Sequence, residues 1–442
     1  MRLSLLAAGH LLLALCPPAL CAGPLSLLSH LRSPADLAET RRFTAEVHLP
    51  PTLPEATLRL AFPALPPNPD AAREAWVTLP PPPEGWSLER FGRVSAQITN
   101  TSPAPLETFL WVVGSHGWDA VCDFAKLEPG EARLFSCDLA ETFPDRTPKL
   151  DPRRIASVQV MCRESGPAKS GGSLEVRRLQ ASGEPAPFHP PSGRLEVPPA
   201  QEGAPAPGKR VLFRLPGDEA SPLASVLYLP RDWAPGRRYP VIAEYPGNVF
   251  FIKGCYSTGR PEQCSIGYGM TRGEGAIWVC LPFVNRNPER LAENQWGNPD
   301  DTAQYAQNVL REITDQFGGD PRNLFLTGFS RGAIACGFIG LRNDSLASLW
   351  KGIHACQHFD GDGWGGAEIQ GALERARRFA GKAVFYTDNA DARLKQLVTE
   401  AGLQATHQNS HLGAHACAMF LDDRPSTQTL RAWFQERVQS PR

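Results

Sequence analysis

The chain has 442 residues, enough for two or three domains of ordinary size. Its 45 Lys and Arg residues against 46 Asp and Glu residues give a net charge of −1, which excludes a strong basic field for nucleic acid. Hydrophobic residues make up 42% and charged residues 21% of the chain, a globular composition rather than that of a disordered protein. Of its 43 prolines, 30 precede Lys209, so the two halves of the chain are expected to differ in structure.

Residues 1–22 have the layout of a signal peptide. Met1 and Arg2 supply a positive start, Leu3 to Leu15 is a mostly apolar run too short to cross a bilayer, and Ala22 suits cleavage. We therefore expect a secreted or periplasmic protein, with residues 23–43 as an N-terminal extension. No later stretch approaches the ~20 apolar residues of a membrane helix, so no membrane span is predicted.

Export permits disulfide bonds, and two cysteine pairs have suitable positions. Cys122 and Cys137 flank a predicted hairpin, and Cys255 and Cys264 bracket a loop. We predict a disulfide for each pair, although sequence cannot fix connectivity. No Cys-x-x-Cys spacing occurs, so we predict no metal site of that kind and no cofactor.

Residues 44–182 are predicted to form an all-β sandwich of the jelly-roll type. Apolar and polar residues alternate in five segments, and turn residues such as Pro129-Gly130 separate them, with no amphipathic helix between. The alternating segments are 94–100, 107–113, 132–139, 155–161 and 174–179.

This region resembles the galactose-binding-like jelly rolls that accompany many secreted carbohydrate-active enzymes. The likeness lies in VSAQITNTS, LEPGEARLFSCDL, LDPRRIASVQV and SLEVRRLQ. The resemblance implies sugar binding, for which Trp111 and Trp118 are candidate stacking platforms; the alternative is that both tryptophans pack in a core or between domains.

Residues 183–208 are rich in proline, glycine and alanine, which predicts an extended, semi-rigid linker. From residue 209 to residue 442, apolar strands alternate with amphipathic helices. Such alternation predicts an α/β domain with a mostly parallel sheet covered on both faces.

The segment Gly328-Phe329-Ser330-Arg331-Gly332 has the form G-x-S-x-G, between a predicted buried strand and a predicted helix. In a nucleophile elbow the serine sits on a strained turn, and the two glycines let strand and helix approach. The motif therefore predicts Ser330 as a catalytic nucleophile.

A serine hydroxyl needs a base, and the base needs an orienting acid; in this motif's fold the chain order is Ser, acid, His. His415, in a loop before the last predicted helix, is the expected base, with His411 in reserve. Asp391 follows a predicted strand and is the expected acid. Asp388 and Asp360 are alternatives for the acid, and a helix N-cap is the structural alternative for Asp391.

Two backbone amides are expected to bind the oxyanion, those of Arg331 and Asn248. Pro246 has no N–H and cannot serve. The segment from His354 to Trp364 is rich in His and Asp, but substrate-pocket lining is a better interpretation than a metal site. The predicted pocket residues are Tyr245, Phe329, His358, Asp360 and Trp364, with the loop around Cys255–Cys264 as a further wall.

Residues 209–440 resemble the α/β-hydrolase superfamily, nearest to secreted esterases of the feruloyl-esterase and polyhydroxybutyrate-depolymerase type, with some likeness to prolyl-oligopeptidase catalytic domains. GGDPRNLFLTGFSRGA and VIAEYPGN carry most of the match. The resemblance implies a serine esterase, whose partner is an ester, possibly linked to a polysaccharide. The alternatives are a serine peptidase of the prolyl-oligopeptidase kind and a non-catalytic carbohydrate-binding or adhesion protein. The oligomeric state is not predicted.

Overall fold

A computed structural model describes most of the chain after the proposed signal peptide. The described residues are 23–29, 31, 38–39, 44–48, 57–62, 74–114, 119–164, 171–252, 254–413, 415 and 420–440. The proposed signal peptide, Trp118 and Cys417 lie outside this set. None of the described helices is long and apolar enough to cross a membrane.

The N-terminal part consists of two antiparallel sheets. The described strands are β1 Leu25–Ser26, β2 Ala38–Glu39, β3 Thr44–His48, β4 Thr57–Phe62, β5 Ala75–Leu79, β6 Arg93–Asn100, β7 Leu106–Gly114, β8 Ala120–Leu127, β9 Ala132–Asp138, β10 Ile155–Glu164 and β11 Gly172–Ser182. One sheet has the order β3-β4-β11-β6-β9, with β1 also paired to β11, and the other has the order β2-β5-β10-β7-β8.

The two sheets are stacked on a shared hydrophobic core. Val94 and Ile98 of β6 and Val176 of β11 come from one sheet, and Leu110 of β7 and Val158 of β10 come from the other. Side chains alternate across each strand, so these residues point inward while Arg93 and Gln97 face solvent. The described strands thus form a β-sandwich, and its jelly-roll character stays a prediction.

Trp111 on β7 packs between the two halves of the chain, which is the alternative that the sequence analysis gave for it, and it is not a sugar-stacking platform. Its side chain is only 1% exposed and points away from the sandwich core, towards the C-terminal half of the chain. Every residue of β7 except Glu107 is buried, because both faces of this strand are covered. An indole covered in this way cannot present its ring to a sugar.

Residues 183–208 contain no helix and only the short strand β12 Ala200–Gln201. The segment is bound to both halves of the molecule. The Leu195 amide donates to the Leu421 carbonyl at 2.7 Å, and the Arg194 guanidinium pairs with Asp119 at 3.2 Å. The extended conformation fits the proline content, while the domain limits themselves stay predictions.

The C-terminal part contains a nine-stranded sheet with helices on both faces. The strands of this sheet after β12 are β13 Arg210–Phe213, β14 Ser225–Tyr228, β15 Tyr239–Tyr245, β18 Ile277–Cys280, β21 Gly319–Phe329, β22 Trp350–Cys356, β23 Ala383–Thr387 and β24 Gln404–Gln408. Two separate hairpins consist of β16 Val249–Ile252 with β17 Cys255–Thr258, and of β19 Val284–Arg286 with β20 Glu289–Leu291. The described helices are α1 Ile266–Thr271, α2 Pro299–Phe317, α3 Arg331–Phe338, α4 Asp344–Leu349, α5 Ile369–Arg377, α6 Ala392–Glu400 and α7 Pro425–Gln439, with 3-10 turns at Pro261–Gln263 and Trp364–Gly366.

The large sheet has the order β12-β13-β14-β18-β15-β21-β22-β23-β24. Strands β18, β15, β21, β22, β23 and β24 pair in parallel, whereas β14 is antiparallel to both of its neighbours. On β15, Val241 faces a core shared with α2 and α3, and the next residue, Ile242, faces a core shared with α1 and α7. The predicted α/β class, with a mostly parallel sheet covered on both faces, is confirmed.

The two predicted disulfides are wrong: Cys122, Cys137, Cys255 and Cys264 are buried thiols that form no disulfide bond. Cys137 lies in the sandwich core, whereas Cys122 belongs to the cluster on the opposite face of its sheet. Cys122 on β8 and Cys137 on β9 belong to different sheets, and thiols that point into different clusters cannot bond without moving the backbone. Cys264 packs beneath the large sheet near Glu244, while Cys255 lies on the separate hairpin formed by β16 and β17.

Candidate active site

Ser330 occupies the sharp turn between β21 and α3. Its φ of 54° and ψ of −119° are rare for a residue with a side chain, so the turn is held by its surroundings. A Cβ on Gly328 would lie 2.3 Å from the Gly332 carbonyl carbon, and a Cβ on Gly332 would lie 2.1 Å from the Tyr245 carbonyl oxygen. Both contacts are with backbone, so the glycines are required at these positions.

His415 lies next to Ser330, where the sequence predicted the base. Its Nε2 lies 3.0 Å from the Ser330 Oγ, the geometry needed for proton transfer from the hydroxyl. The imidazole packs edge-on against the Phe329 ring, with 5.2 Å between ring centroids. Burial, with a smaller contribution from neighbouring His358, lowers the pKa of His415 to about 4, so the imidazole is neutral near pH 7.

Asp391 does not orient His415, and that assignment is corrected. Its carboxylate is 42% exposed and caps α6 by accepting a hydrogen bond from the Leu394 amide at 2.8 Å. An aspartate that satisfies the amides at the start of a helix turns its carboxylate towards that helix. Asp391 is therefore a helix N-cap, the alternative that the sequence analysis gave for it.

Asp388 lies closer to the histidine loop. It follows β23 directly, with a positive φ of 64°, and its carboxylate accepts hydrogen bonds from both the amide and the hydroxyl of Ser410. Ser410 stands five residues before His415 in the same loop. Among the described residues, no carboxylate hydrogen-bonds to His415 itself, so Asp388 acts on the loop that carries the base.

The two proposed oxyanion donors come from α3 and from the loop after β15. Arg331 is the first residue of α3, where helical amides point out of the helix and the helix dipole is positive. Asn248 lines the cavity that contains Ser330. Its side chain fixes the loop, with Nδ2 donating to Asn294 Oδ1 at 2.8 Å and Oδ1 accepting from the Gln295 amide at 3.0 Å.

The buried Arg331 side chain ties together the loops around Ser330. Its guanidinium lies over the Phe283 ring, 3.9 Å from the centroid. It donates to four carbonyl oxygens at 2.7–3.2 Å, a role that the sequence motif does not reveal. These carbonyls belong to Gly247, Gly259, Ala292 and Gln295. Because Gly247 precedes Asn248, the arginine links the Ser330 turn to the loop that carries the second proposed oxyanion donor.

Ser330 and His415 open onto a cavity of about 510 Å³, within the range of small-molecule sites. Of the residues predicted for the site, the cavity brings together Ser330, Arg331, Asn248, His415, His358 and Trp364. The other residues that line it are Phe250, Ile252, Gly254, Cys255 and Ile334, of which only Cys255 belongs to the loop that the sequence predicted as a wall. Four of these five lie on the β16–β17 hairpin, close to the loop that was expected to form a wall.

Three residues predicted for the pocket lie outside it. Tyr245 is buried under the sheet end, where its ring packs on Phe283 at 5.1 Å between centroids. Phe329 supports the back of His415 rather than facing the cavity. The carboxylate of Asp360 is buried and forms two hydrogen bonds, at 2.6 and 2.7 Å, with the guanidinium of Arg375. Asp360 is therefore neither a pocket residue nor the acid of His415.

The His- and Asp-rich segment after β22 does not converge on one point. His354 is fully buried between the hydroxyls of Thr327 and Thr387, at 2.8 and 2.9 Å, and burial lowers its pKa to about 3. His358 faces the cavity, and its Nδ1 lies 2.6 Å from Asp362. Among the described residues, no group of three His, Cys, Asp or Glu side chains is placed to hold a metal ion.

Comparisons with known proteins give distant structural likenesses. No family model and no curated protein matches the chain. It resembles a thermostable esterase at 12% identity, over 82% of this chain and 94% of that one, with a TM-score of 0.36. It resembles fungal esterases from Rhizomucor miehei at 13% identity, over 52% and 82% of the two chains, with a TM-score of 0.35.

A proposed dipeptidyl aminopeptidase IV from Bacteroides ovatus is similar at 12% identity over 52% of this chain and 35% of that one, with a TM-score of 0.37. Likenesses at this level carry no functional argument. The chemistry of the site therefore has to be argued from its own geometry.

Proposed function

We propose that the protein is a serine hydrolase of the α/β-hydrolase type that cleaves carboxylic esters. The observation that carries the proposal is the Ser330 hydroxyl, held on a strained turn 3.0 Å from the Nε2 of a neutral histidine and facing a cavity. A hydroxyl becomes a useful nucleophile when a positioned base removes its proton. His415 is positioned to do so.

In the first half-reaction, the Ser330 Oγ bonds to the ester carbonyl carbon while His415 Nε2 takes the hydroxyl proton. The carbonyl oxygen becomes an oxyanion, for which the amides of Arg331 and Asn248 are the proposed donors. The carbon–oxygen bond to the alcohol then breaks, and His415 returns the proton to the leaving alcohol. In the second half-reaction, His415 takes a proton from water as the water oxygen bonds to the acyl carbon; the bond from that carbon to Oγ then breaks, the acid leaves, and His415 returns the proton to Oγ.

Two finer proposals extend this reaction. The apolar run at the N-terminus supports export to the periplasm or the medium. A polysaccharide-linked ester as the substrate depends on the resemblance of the β-sandwich to sugar-binding domains, and the buried Trp111 gives it no support. Sugar binding by the sandwich would therefore have to use other residues.

A fluorophosphonate probe and p-nitrophenyl acetate test the proposal directly. We expect the wild-type protein to be labelled once and to turn over the ester, and Ser330→Ala to do neither. Absence of labelling and turnover in the wild type would refute the hydrolase proposal, and full activity of Ser330→Ala would refute the site. Faster cleavage of proline-containing dipeptide amides than of any ester would replace the esterase with a peptidase.

A further inference from the structure

The hairpin formed by β16 and β17 has two faces with different surroundings. Its register pairs Phe251 with Tyr256 and Ile252 with Cys255, so paired residues point to the same side of the ribbon. Phe251 and Tyr256 are buried against the β-sandwich. Phe250, Ile252 and Cys255 belong to the lining of the cavity that contains Ser330.

The buried face is anchored on the outer surface of the sandwich. Phe251 and Tyr256 meet the Trp111 ring edge-on, with 6.4 and 5.1 Å between centroids. The Tyr256 hydroxyl donates to Gln159 Oε1 at 2.9 Å. Gln159 and Trp111 are directly opposite each other on β10 and β7, so one patch of the sandwich holds the hairpin through both packing and a hydrogen bond.

The other face presents apolar surface to the reacting groups. Phe250 is 41% exposed and Ile252 is 40% exposed, two of the few large apolar side chains left open among the described residues. The Phe250 ring centroid lies 6.0 Å from that of His415, which places this surface beside the serine and its base. Apolar side chains in such a position gain most when an apolar part of the substrate covers them.

We propose that the β-sandwich is a positioning scaffold for this wall of the active site, and that Phe250 and Ile252 select esters with a large apolar group next to the scissile bond. The inference rests on the proposed ester hydrolysis and adds its substrate class. Trp111, Gln159 and Tyr256 act as positioning residues, since they reach the substrate only through the hairpin. The sandwich thereby has a role in catalysis that needs no sugar.

The test compares kcat/KM for p-nitrophenyl acetate and p-nitrophenyl octanoate. We expect Phe250→Ala and Ile252→Ala to lower kcat/KM for octanoate by roughly tenfold or more, because a few methylene contacts are lost, and to lower kcat/KM for acetate by a clearly smaller factor. Trp111→Leu should show the same selective loss although it does not touch the cavity. Tyr256→Phe, which removes only the hydroxyl, tests the anchor should Trp111→Leu fail to fold.

Two controls remove apolar side chains that reach neither the hairpin nor the cavity. Phe124 is exposed on the same sheet as Trp111 and stacks on Phe109, and Leu134 is exposed on β9. We expect Phe124→Ala and Leu134→Ala to retain the wild-type ratio of octanoate to acetate hydrolysis. Equal losses on both esters in the hairpin or anchor variants, or no loss on either, would overturn the inference.

Hydrogen exchange separates this inference from the proposed function. We expect the amides of β16 and β17 to exchange faster in Trp111→Leu and Tyr256→Phe than in wild type or Phe124→Ala. Unchanged exchange in the anchor variants would refute the scaffold even if the enzyme is active. A wild-type protein inert towards the probe and both esters would refute the proposed function and the selection of esters, while exchange would still decide whether the sandwich holds the hairpin.

Discussion

The Nε2 of His415 lies 3.0 Å from the Oγ of Ser330, although 85 positions of the chain separate the two residues. The pair should act as one unit. Ser330→Ala is expected to lower kcat for ester hydrolysis by roughly 10⁴–10⁶-fold, and adding His415→Ala should cost little more, because the base works only through the hydroxyl. Steady-state kinetics of the single and double variants measure this.

His411 is the control residue for the predicted coupling of Ser330 and His415. It precedes His415 by four residues, and its amide is tied to Asn409 at 2.7 Å. We expect His411→Ala to keep most of the wild-type kcat. A loss as large as that of His415→Ala, or additive losses in the double variant, would contradict the pairing of Ser330 with His415.

The pH dependence follows from the lowered pKa of His415. The base must be neutral to accept the serine proton, and burial with the neighbouring His358 holds its pKa at about 4. We expect kcat/KM to persist through pH 5 and to fall only as the pH approaches about 4. An acid limb near the unperturbed histidine pKa of about 6.5 would contradict this. A rate profile from pH 3 upwards, with stability checked at each pH, measures it.

Asp388 and Asp391 give a matched pair of substitutions in one loop. Asp388→Ala removes both hydrogen bonds to Ser410 and should lower kcat by roughly 10–100-fold, because the histidine loop loses its position. Asp391→Ala removes the cap of α6 and a long, exposed ion pair with Arg393, and should cost about 1 kcal/mol of stability with kcat unchanged. Kinetics and urea unfolding of both variants test this, and the reverse order of kcat losses would restore Asp391 as the acid.

Arg331 is expected to matter through its side chain as well as its amide. Lysine has three donors on one atom and cannot reproduce the fork that reaches four carbonyls. Arg331→Lys should lower both the melting temperature and kcat, the latter by roughly tenfold or more as the Asn248 amide shifts. Arg342→Lys, at the exposed pair with Asp300, is the control and should change neither. Equal behaviour of the two variants would contradict the role of Arg331.

Gly332 tests the packing of the nucleophile turn. In Gly332→Ala the new methyl group would meet the Tyr245 backbone at 2.1 Å, so strand and helix must separate and activity should be lost with a large drop in stability. Gly371→Ala in α5 meets only the end of the Arg375 side chain, at 3.1 Å. It should leave activity intact and change stability far less than Gly332→Ala does. Thermal unfolding and ester turnover of Gly332→Ala and Gly371→Ala measure these differences in stability and activity.

Much of the C-terminal sheet could be predicted because its central strands are apolar on both faces. Strand β21 and helix α2 have strong patterns, and α2 begins directly after a side-chain cap at Asn298. Strand β24 has no apolar pattern, since it lies at the sheet edge with most of its side chains exposed. No local signal marks such a strand.

The sequence by itself determined the alternation of strands and helices and the serine turn, because backbone conformation and glycine requirements act over a few neighbouring residues. Tertiary structure alone decided which side chains meet. It placed Asp391 at the cap of a helix, Asp360 on Arg375, Trp111 against the hairpin, and Cys122 and Cys137 on different sheets in different clusters. Those outcomes depend on how segments far apart in the chain pack against each other. The spacing of residues along the sequence does not specify that packing.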